Sequence, residues 1–319
     1  MTRWSNNLGR AFEYITLITL NEEISKVREV VIKMDNSYIA TKNAWEKIGE
    51  QNQLNLKIGA KSAIESIFNL EPMILEDDGG KLELLIQSDS NGEEGDVRDI
   101  LLVRRDVQWE VGLSLKHNNF AVKHSRIAKD LDFGDKWYGV SCSNQYWEEI
   151  APIFNYLEDE KSRGSMWSDL PDKMDDVYIP LLKAFKGEVL RCYNSNPNIA
   201  KDMAKYLLGK YDYYKVISED ESNRTQILTF NSSGTLNKAS SKNQPTTSIP
   251  IVELPTEIIT IDFKPRSKTT IIMSMDGGWE FSFRIHNADK NVEASLKFDI
   301  NLIKKPETIN SFICEWDSF

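Results

Sequence analysis

Apolar positions along this chain follow two periods, one helical and one extended. Leu8, Phe12, Ile15 and Ile18 come after a capping pair, Asn6-Asn7, at helical spacing, with Glu13 beside the stripe. The same period predicts helices over 42–48 and 60–68, and Glu76-Asp77-Asp78-Gly79-Gly80 then breaks it. Past Gly80 the period falls to two. Leu82–Gln87, Ile100–Arg104 and Val107–Lys116 read as successive strands, with polar turns over Asp89–Gly95 and at Arg105-Asp106. Residues 118–131 return to a helical period through Phe120, Ile127 and Leu131, and helices are predicted over 145–157, 177–193 and 199–208. From Tyr214 onward strands dominate, over 225–230, 258–263, 269–275, 280–286 and 295–302. The Ser-, Asn-, Lys- and Thr-rich segment Ser232–Thr247 is a surface loop or a border between an α/β front and a β-rich back. The expected division is 1–215, an α/β part with helical additions, and 216–319, a β-rich part.

Composition narrows the classes. In 319 residues, 40% hydrophobic and 28% charged, a folded chain with a sizeable core is expected. Thirty-nine Lys and Arg against 49 Asp and Glu give a net charge of −10, which excludes a uniformly basic nucleic-acid coat but leaves room for a local basic site. No apolar run reaches the roughly 18 residues of a membrane helix, and the first residues, MTRWSNNLGRAFEY, hold no secretory core. Cys142, Cys192 and Cys314 are odd in number and far apart, so neither a disulfide framework nor a cysteine zinc site is expected. A reduced cytoplasmic protein with no membrane association is the resulting expectation.

One stretch could carry chemistry. Asp99 opens an apolar strand, and Ser114 and Lys116 share one face of the next strand with Glu110 and Gly112. A hairpin would bring Asp99, Glu110, Ser114 and Lys116 toward one sheet edge. A carboxylate there can hold magnesium beside a scissile phosphate, and a nearby lysine can orient water or steady charge on the phosphoryl oxygens. A solvated hairpin rim is the competing reading. The tripeptide Ser-Leu-Lys is a weak signal, since it recurs at Ser295-Leu296-Lys297, too close behind Asp289 for a separate strand between them.

Asp99 heading a strand, with Ser114-x-Lys116 on the next, resembles the PD-(D/E)xK nuclease pattern with Ser in the second acidic position. The wider text is similar to HaeIII-type restriction endonucleases: Gly95-Asp-Val-Arg-Asp-Ile-Leu101, Gly112-Leu-Ser-Leu-Lys-His-Asn118, Ala121-Val-Lys-His-Ser-Arg126, Phe133-Gly-Asp-Lys-Trp137 and Asp276-Gly-Gly-Trp-Glu-Phe-Ser-Phe-Arg-Ile-His-Asn287. The likeness runs from Gly9-Arg-Ala-Phe-Glu13 to Ser295-Leu-Lys-Phe-Asp299. It implies an α/β, restriction-endonuclease-like mixed sheet flanked by helices, with a β-rich C-terminal part for DNA recognition. It also implies a type II enzyme that needs Mg2+ and cuts double-stranded DNA at GGCC to leave blunt ends. A homodimer suits a palindrome, a monomer nicking each strand in turn is the alternative, and a cognate DNA methyltransferase is the functional partner.

On that resemblance Asp99, Ser114, Lys116 and Glu13 are the catalytic candidates. Asp99, Glu13, the Leu115 carbonyl and, further off, Glu110 are the metal ligands. Asp96 is a rival to Asp99 that belongs to the preceding turn. Glu110 lies four residues from Ser114, about 13 Å by strand rise, though close to Asp99 if the hairpin register allows.

For DNA, a helix over 118–131 would align Lys123, Arg126 and Lys129 on one basic face, with His124 nearby. Base reading in the major groove needs donors for guanine and acceptors for cytosine. Arg284, His286 and Asn287, with Lys290, form one candidate group, and Lys264, Arg266 and Lys268 another. Trp279, Phe281 and Phe283 alternate as core residues do. A repair or recombination nuclease, and a DNA-binding protein without catalysis, are the competing functions.

Overall fold

The computed structural model describes residues 3–88 and 95–316, so the polar turn expected over Asp89–Gly95 lies outside the described residues except for Gly95. The chain forms two compact units, each discontinuous in sequence: 1–120 with 209–253 and 307–319, and 121–208 with 254–306. The expected cut at 215/216 falls inside a strand of the first unit, so the β-rich back is shared out between both. No described helix is long and apolar enough to cross a membrane.

The first unit is built on a seven-stranded mixed sheet. Its strands are β1 (Val30–Ile32), β2 (Leu82–Ile86), β3 (Ile100–Arg104), β4 (Trp109–His117), β6 (Tyr213–Glu219), β7 (Arg224–Phe230) and β12 (Ser311–Glu315), in the order β1-β2-β3-β4-β6-β7-β12. β1 with β2 and β4 with β6 run parallel, and the other neighbours are antiparallel. Helices α1 (Arg3–Ile24), α2 (Asn36–Trp45) and α3 (Glu50–Leu70) belong to this unit. α1 begins before Asn6-Asn7, so that pair lies within the helix and does not cap it. α2 starts where the Asp35 carboxylate accepts from the backbone N–H groups of Ser37 and Tyr38, a side-chain cap for otherwise unpaired donors.

Strand alternation sorts this sheet's two faces. Leu113, Leu115, Tyr214 and Val216 turn to a core shared with Ala11, Phe12 and Ile15 of α1 and Ala60, Ile64 and Ile67 of α3. Burial of such side chains contributes about 1.5–3 kcal/mol each. Ser114, Lys116 and Lys215 therefore belong to the opposite face.

The second unit holds a five-stranded antiparallel sheet in the order β5-β11-β10-β9-β8. The strands are β5 (Ala121–Ala128), β8 (Ile258–Phe263), β9 (Thr270–Met275), β10 (Glu280–His286) and β11 (Ser295–Lys304). Its helices are α4 (Phe133–Tyr138), α5 (Asn144–Ser162), α6 (Ile179–Ser195) and α7 (Ile199–Leu208). α4 is capped by Asp132, which accepts from the Asp135 N–H, and stops at Gly139, whose φ of 70° is the left-handed conformation glycine favours. Phe133, Trp137, Phe185, Phe283 and Phe298 form an aromatic core. Trp279, Phe281 and Phe283 are all buried, as their alternation predicts.

β5 corrects the helix expected over 118–131. In a strand Lys123 and Arg126 point to opposite faces, so the basic face with Lys129 does not exist.

Candidate active site

The site forms where the ladder between β3 and β4 runs out. Its last pair is Ile100 with Leu113, closed by the Asp99 N–H donating to the Leu113 carbonyl at 2.7 Å. One step further, Asp99 stands opposite Ser114 and its side chain takes the place of a third strand. Asp99 Oδ2 accepts from the Leu115 N–H at 2.6 Å, the Ser114 hydroxyl at 3.3 Å and Lys116 Nζ at 3.3 Å. Oδ1 takes part in none of these bonds. The Lys116 and Asp99 side chains remain 26% and 23% exposed, enough to meet a substrate without being rim residues.

The Leu115 carbonyl belongs to the same opening. A strand residue sends its N–H and C=O to the same side, and the Leu115 N–H points at Asp99. Its carbonyl thus faces the Asp99 side, past the end of the ladder. A carboxylate oxygen and a backbone carbonyl are hard donors that suit magnesium, which keeps several waters of its own. Among the described residues no cluster of three or more His, Cys, Asp or Glu could hold a metal; these two oxygens are the donors that could begin a shell here, with water supplying the rest.

Glu110 does not join them. The register sets it opposite Val103, four residues from the Asp99 end, and its Oε1 accepts from Arg98 Nη1 at 2.7 Å. The expectation that the hairpin might bring Glu110 close to Asp99 is corrected by that register. Glu13 lies half-buried on α1, which packs against the Leu113 and Leu115 face.

Asp96 has a different task from Asp99. It is buried and holds Arg98 through Nε at 2.8 Å and Nη2 at 2.8 Å, with Gln87 Nε2 on Oδ2 at 2.7 Å. Burial alone would raise its pKa, but the bonds and charge of Arg98 with Gln87 hold it below the usual carboxylate range. Arg98 lies over Gly112, where an added Cβ would fall 2.0 Å from its Cδ, and under the Tyr211 ring at 4.2 Å. Glycine at 112 is therefore required by close approach, next to the strand position that carries Ser114.

Two site residues escape sequence reasoning. Lys215 is opposite Ser114 across the parallel β4–β6 pair, so Asp99, Ser114 and Lys215 form one row across three strands. Lys215 is 2% exposed and donates to the Phe120 carbonyl at 2.9 Å. Burial, with the charge of Lys116, pushes its pKa down to about 7, against the pull of Asp99. Tyr213 is buried, stacks on Phe230 at 4.8 Å, and has its hydroxyl pKa raised by burial and by the Asp99 charge. The available signal was a lysine inside the apolar run Tyr213-Tyr214-Lys215-Val216-Ile217.

The DNA candidates separate in the second unit. Lys123 is buried with Nζ 3.9 Å from the Tyr206 ring centre, and burial lowers its pKa to about 8, so it is not a surface cation. Asn287 ties its own turn: its amide donates to the Asp289 and Asn291 carbonyls and accepts from the Glu293 N–H. Both amide hydrogens are thereby engaged within the turn. Lys268 pairs with Asp175. His124, Arg126, Arg284 and His286, by contrast, all fall on the non-core face of the five-stranded sheet.

Comparison with known proteins gives the family. The profile of the HaeIII restriction endonuclease family matches residues 9–306. A curated relative, the type II restriction enzyme HaeIII of Haemophilus aegyptius, is 44% identical over 318 residues, covering 99% of this chain and all of that one. No solved structure matches.

Proposed function

The chain belongs to the HaeIII restriction endonuclease family, and on that premise we propose that it is a type II site-specific deoxyribonuclease that hydrolyses duplex DNA at GGCC to leave blunt ends, with Mg2+ as its metal. The observation that carries the chemistry is the convergence of Asp99, Ser114 and Lys116 where the β3–β4 ladder stops. Magnesium, when bound, polarises a phosphoryl oxygen and lowers the pKa of its water. Asp99 Oδ1 and the Leu115 carbonyl would hold it, with Glu13 as the further carboxylate. The Ser114 hydroxyl and the Leu115 N–H fix the orientation of Asp99 through Oδ2. Lys116 Nζ, beside the same carboxylate, orients the attacking water and steadies negative charge on the phosphoryl oxygens. Glu110 stays with Arg98 and supports the hairpin.

The enzyme would act in the cytoplasm as a two-fold homodimer, because a palindrome offers two equivalent scissile bonds, and with a methyltransferase that protects host sites. Sedimentation with and without a GGCC duplex tests the dimer.

Digestion of unmethylated plasmid with magnesium and with EDTA tests the function. Discrete bands that vanish with EDTA and on prior methylation of GGCC are expected. A smear, or cutting confined to branched substrates, would indicate a repair nuclease, and a gel shift without cutting a binding protein.

A further inference from the structure

The five-stranded sheet has a polar face that the nuclease chemistry does not use. In β5, β11 and β10 the core-facing set includes Ile127, Leu296, Phe298, Ile300, Phe281 and Phe283. The alternate set is a grid of two rows. Asp299 is opposite both His124 and Arg284, and Lys297 is opposite both Arg126 and His286. Arg126 and Arg284 are exposed, and the other four are partly so. Two arginines and a lysine thus lie around one carboxylate in a chain whose net charge is −10. That local excess matches a polyanion.

The carboxylate is placed between the imidazoles. Asp299 Oδ1 is 2.8 Å from His124 Nδ1, and Oδ2 is 3.4 Å from His286 Nδ1. Both are ion-pair distances: the charge of Asp299 draws a ring proton toward Nδ1, and a neutral ring protonated there offers Nε2, on its far edge, as an acceptor. Burial lowers the pKa of His286, which favours the neutral form.

Resting on the restriction-endonuclease reading, we propose that this grid is the base-reading surface for the major groove of duplex DNA. Arg284 and Lys297 present donors to guanine O6 and N7, and His124 and His286 present Nε2 acceptors to the cytosine amino group. Asp299 is a positioning residue that sets both imidazoles. Arg126, on the edge strand β5 and tethered to Ser295 Oγ at 2.7 Å, takes the neighbouring phosphate. Lys297, part of the second Ser-Leu-Lys, becomes a reader.

The test is fluorescence anisotropy with two labelled duplexes in calcium, which allows binding without cleavage. One carries the site mapped from wild-type digestion, and the other differs from it by one base pair. Lys297→Ala and Arg284→Ala should each lower the ratio of the two affinities about tenfold. Arg126→Ala should weaken both duplexes alike and flatten the salt dependence. Asp299→Asn should lower the ratio and, in 15N spectra of the imidazoles, remove the uniform Nδ1–H tautomer, which a merely structural carboxylate would not produce. Should that variant not fold, wild-type imidazole shifts are followed on titration with each duplex. Selective perturbation by the cognate duplex supports the proposal, and equal or absent perturbation overturns it. Unchanged ratios for Lys297→Ala and Arg284→Ala, or equal losses on both duplexes, also overturn it. Absent or unspecific cutting by the wild type sinks the nuclease reading instead.

Discussion

Ser114-Leu115-Lys116 and Ser295-Leu296-Lys297 are the same three residues in two different sheets. In both, leucine enters a core, at 2% and 0% exposure, and serine and lysine share the other face. The difference is in the neighbouring strands. β4 loses its antiparallel partner after Leu113, so the Leu115 N–H is left to a carboxylate and the adjoining carbonyl opens toward it. β11 is paired on both sides, with Lys297 opposite Arg126 and His286, and its backbone is closed. Where a ladder stops, a short motif exposes backbone donors and acceptors to a neighbouring side chain; where the ladder continues, it offers only its side chains.

The largest expected effect breaks the symmetry outright. Asp99→Ala and Lys116→Ala should each lower cleavage by about 10²–10³-fold or more while gel-shift affinity for the duplex persists. Lys297→Ala should still cleave at saturating DNA. A dead Lys297→Ala beside an active Lys116→Ala would exchange the roles of the two copies. Next, Glu13→Gln should reduce cleavage roughly 10–100-fold, the scale of a lost metal partner, and Glu110→Gln only a few-fold. Single-turnover rates across a magnesium titration would show it, and the reverse order would make Glu110 the ligand.

Packing effects are smaller. Gly112→Ala should cost about 1–3 kcal/mol in urea unfolding, because its Cβ must displace the Arg98 stem. Gly187→Ala, in helix α6 with nothing near its added methyl, should be neutral or stabilising by about 0.5–1 kcal/mol. Equal behaviour of the two would remove Arg98 from the support of the hairpin.

The gentlest effect is a pH slope. Burial raises the Glu71 carboxyl to about 7, even though Tyr214, next to the Ser114 row, donates to it at 2.7 Å. A carboxyl whose folded pKa lies above its unfolded value of 4.5 favours the fold fully below 4.5, and that contribution is lost as pH rises toward 7. Thermal unfolding should show a decline of at most about 1.4 kcal/mol per pH unit in that window, absent in Glu71→Gln. A slope that survives this substitution would assign it elsewhere.

Much of the fold was legible because most strands write their alternation in apolar residues. Ile100–Arg104, Ile258–Phe263, Glu280–His286 and helix 199–208 end where the pattern places them. β5 was misread because its inward set includes Lys123 and Ser125, polar residues covered by Tyr206 and Trp137, so burial there is not spelled in hydrophobicity. β1 has three residues, too few for any period, and β12 is a half-exposed edge strand. The first six residues of α3, Glu50-Gln-Asn-Gln-Leu-Asn, hide a helix in polar text. Asp99, Ser114 and Lys116 were readable from spacing within one hairpin. Lys215 was not, since only the pairing of β4 with a distant strand brings it there.

That pairing has a consequence for how the enzyme comes into being. β4 and β6 are neighbours in the sheet, yet residues 118–212 lie between them in the chain, including the first segment of the second unit. Contacts of such high sequence separation form late and slowly, because a long loop must be closed before they return any stabilisation. A growing polypeptide that already carries Asp99 and Ser114 lacks Lys215, the third member of their row, until β6 emerges. On the proposed site, a chain released before β6 is therefore expected not to cleave DNA.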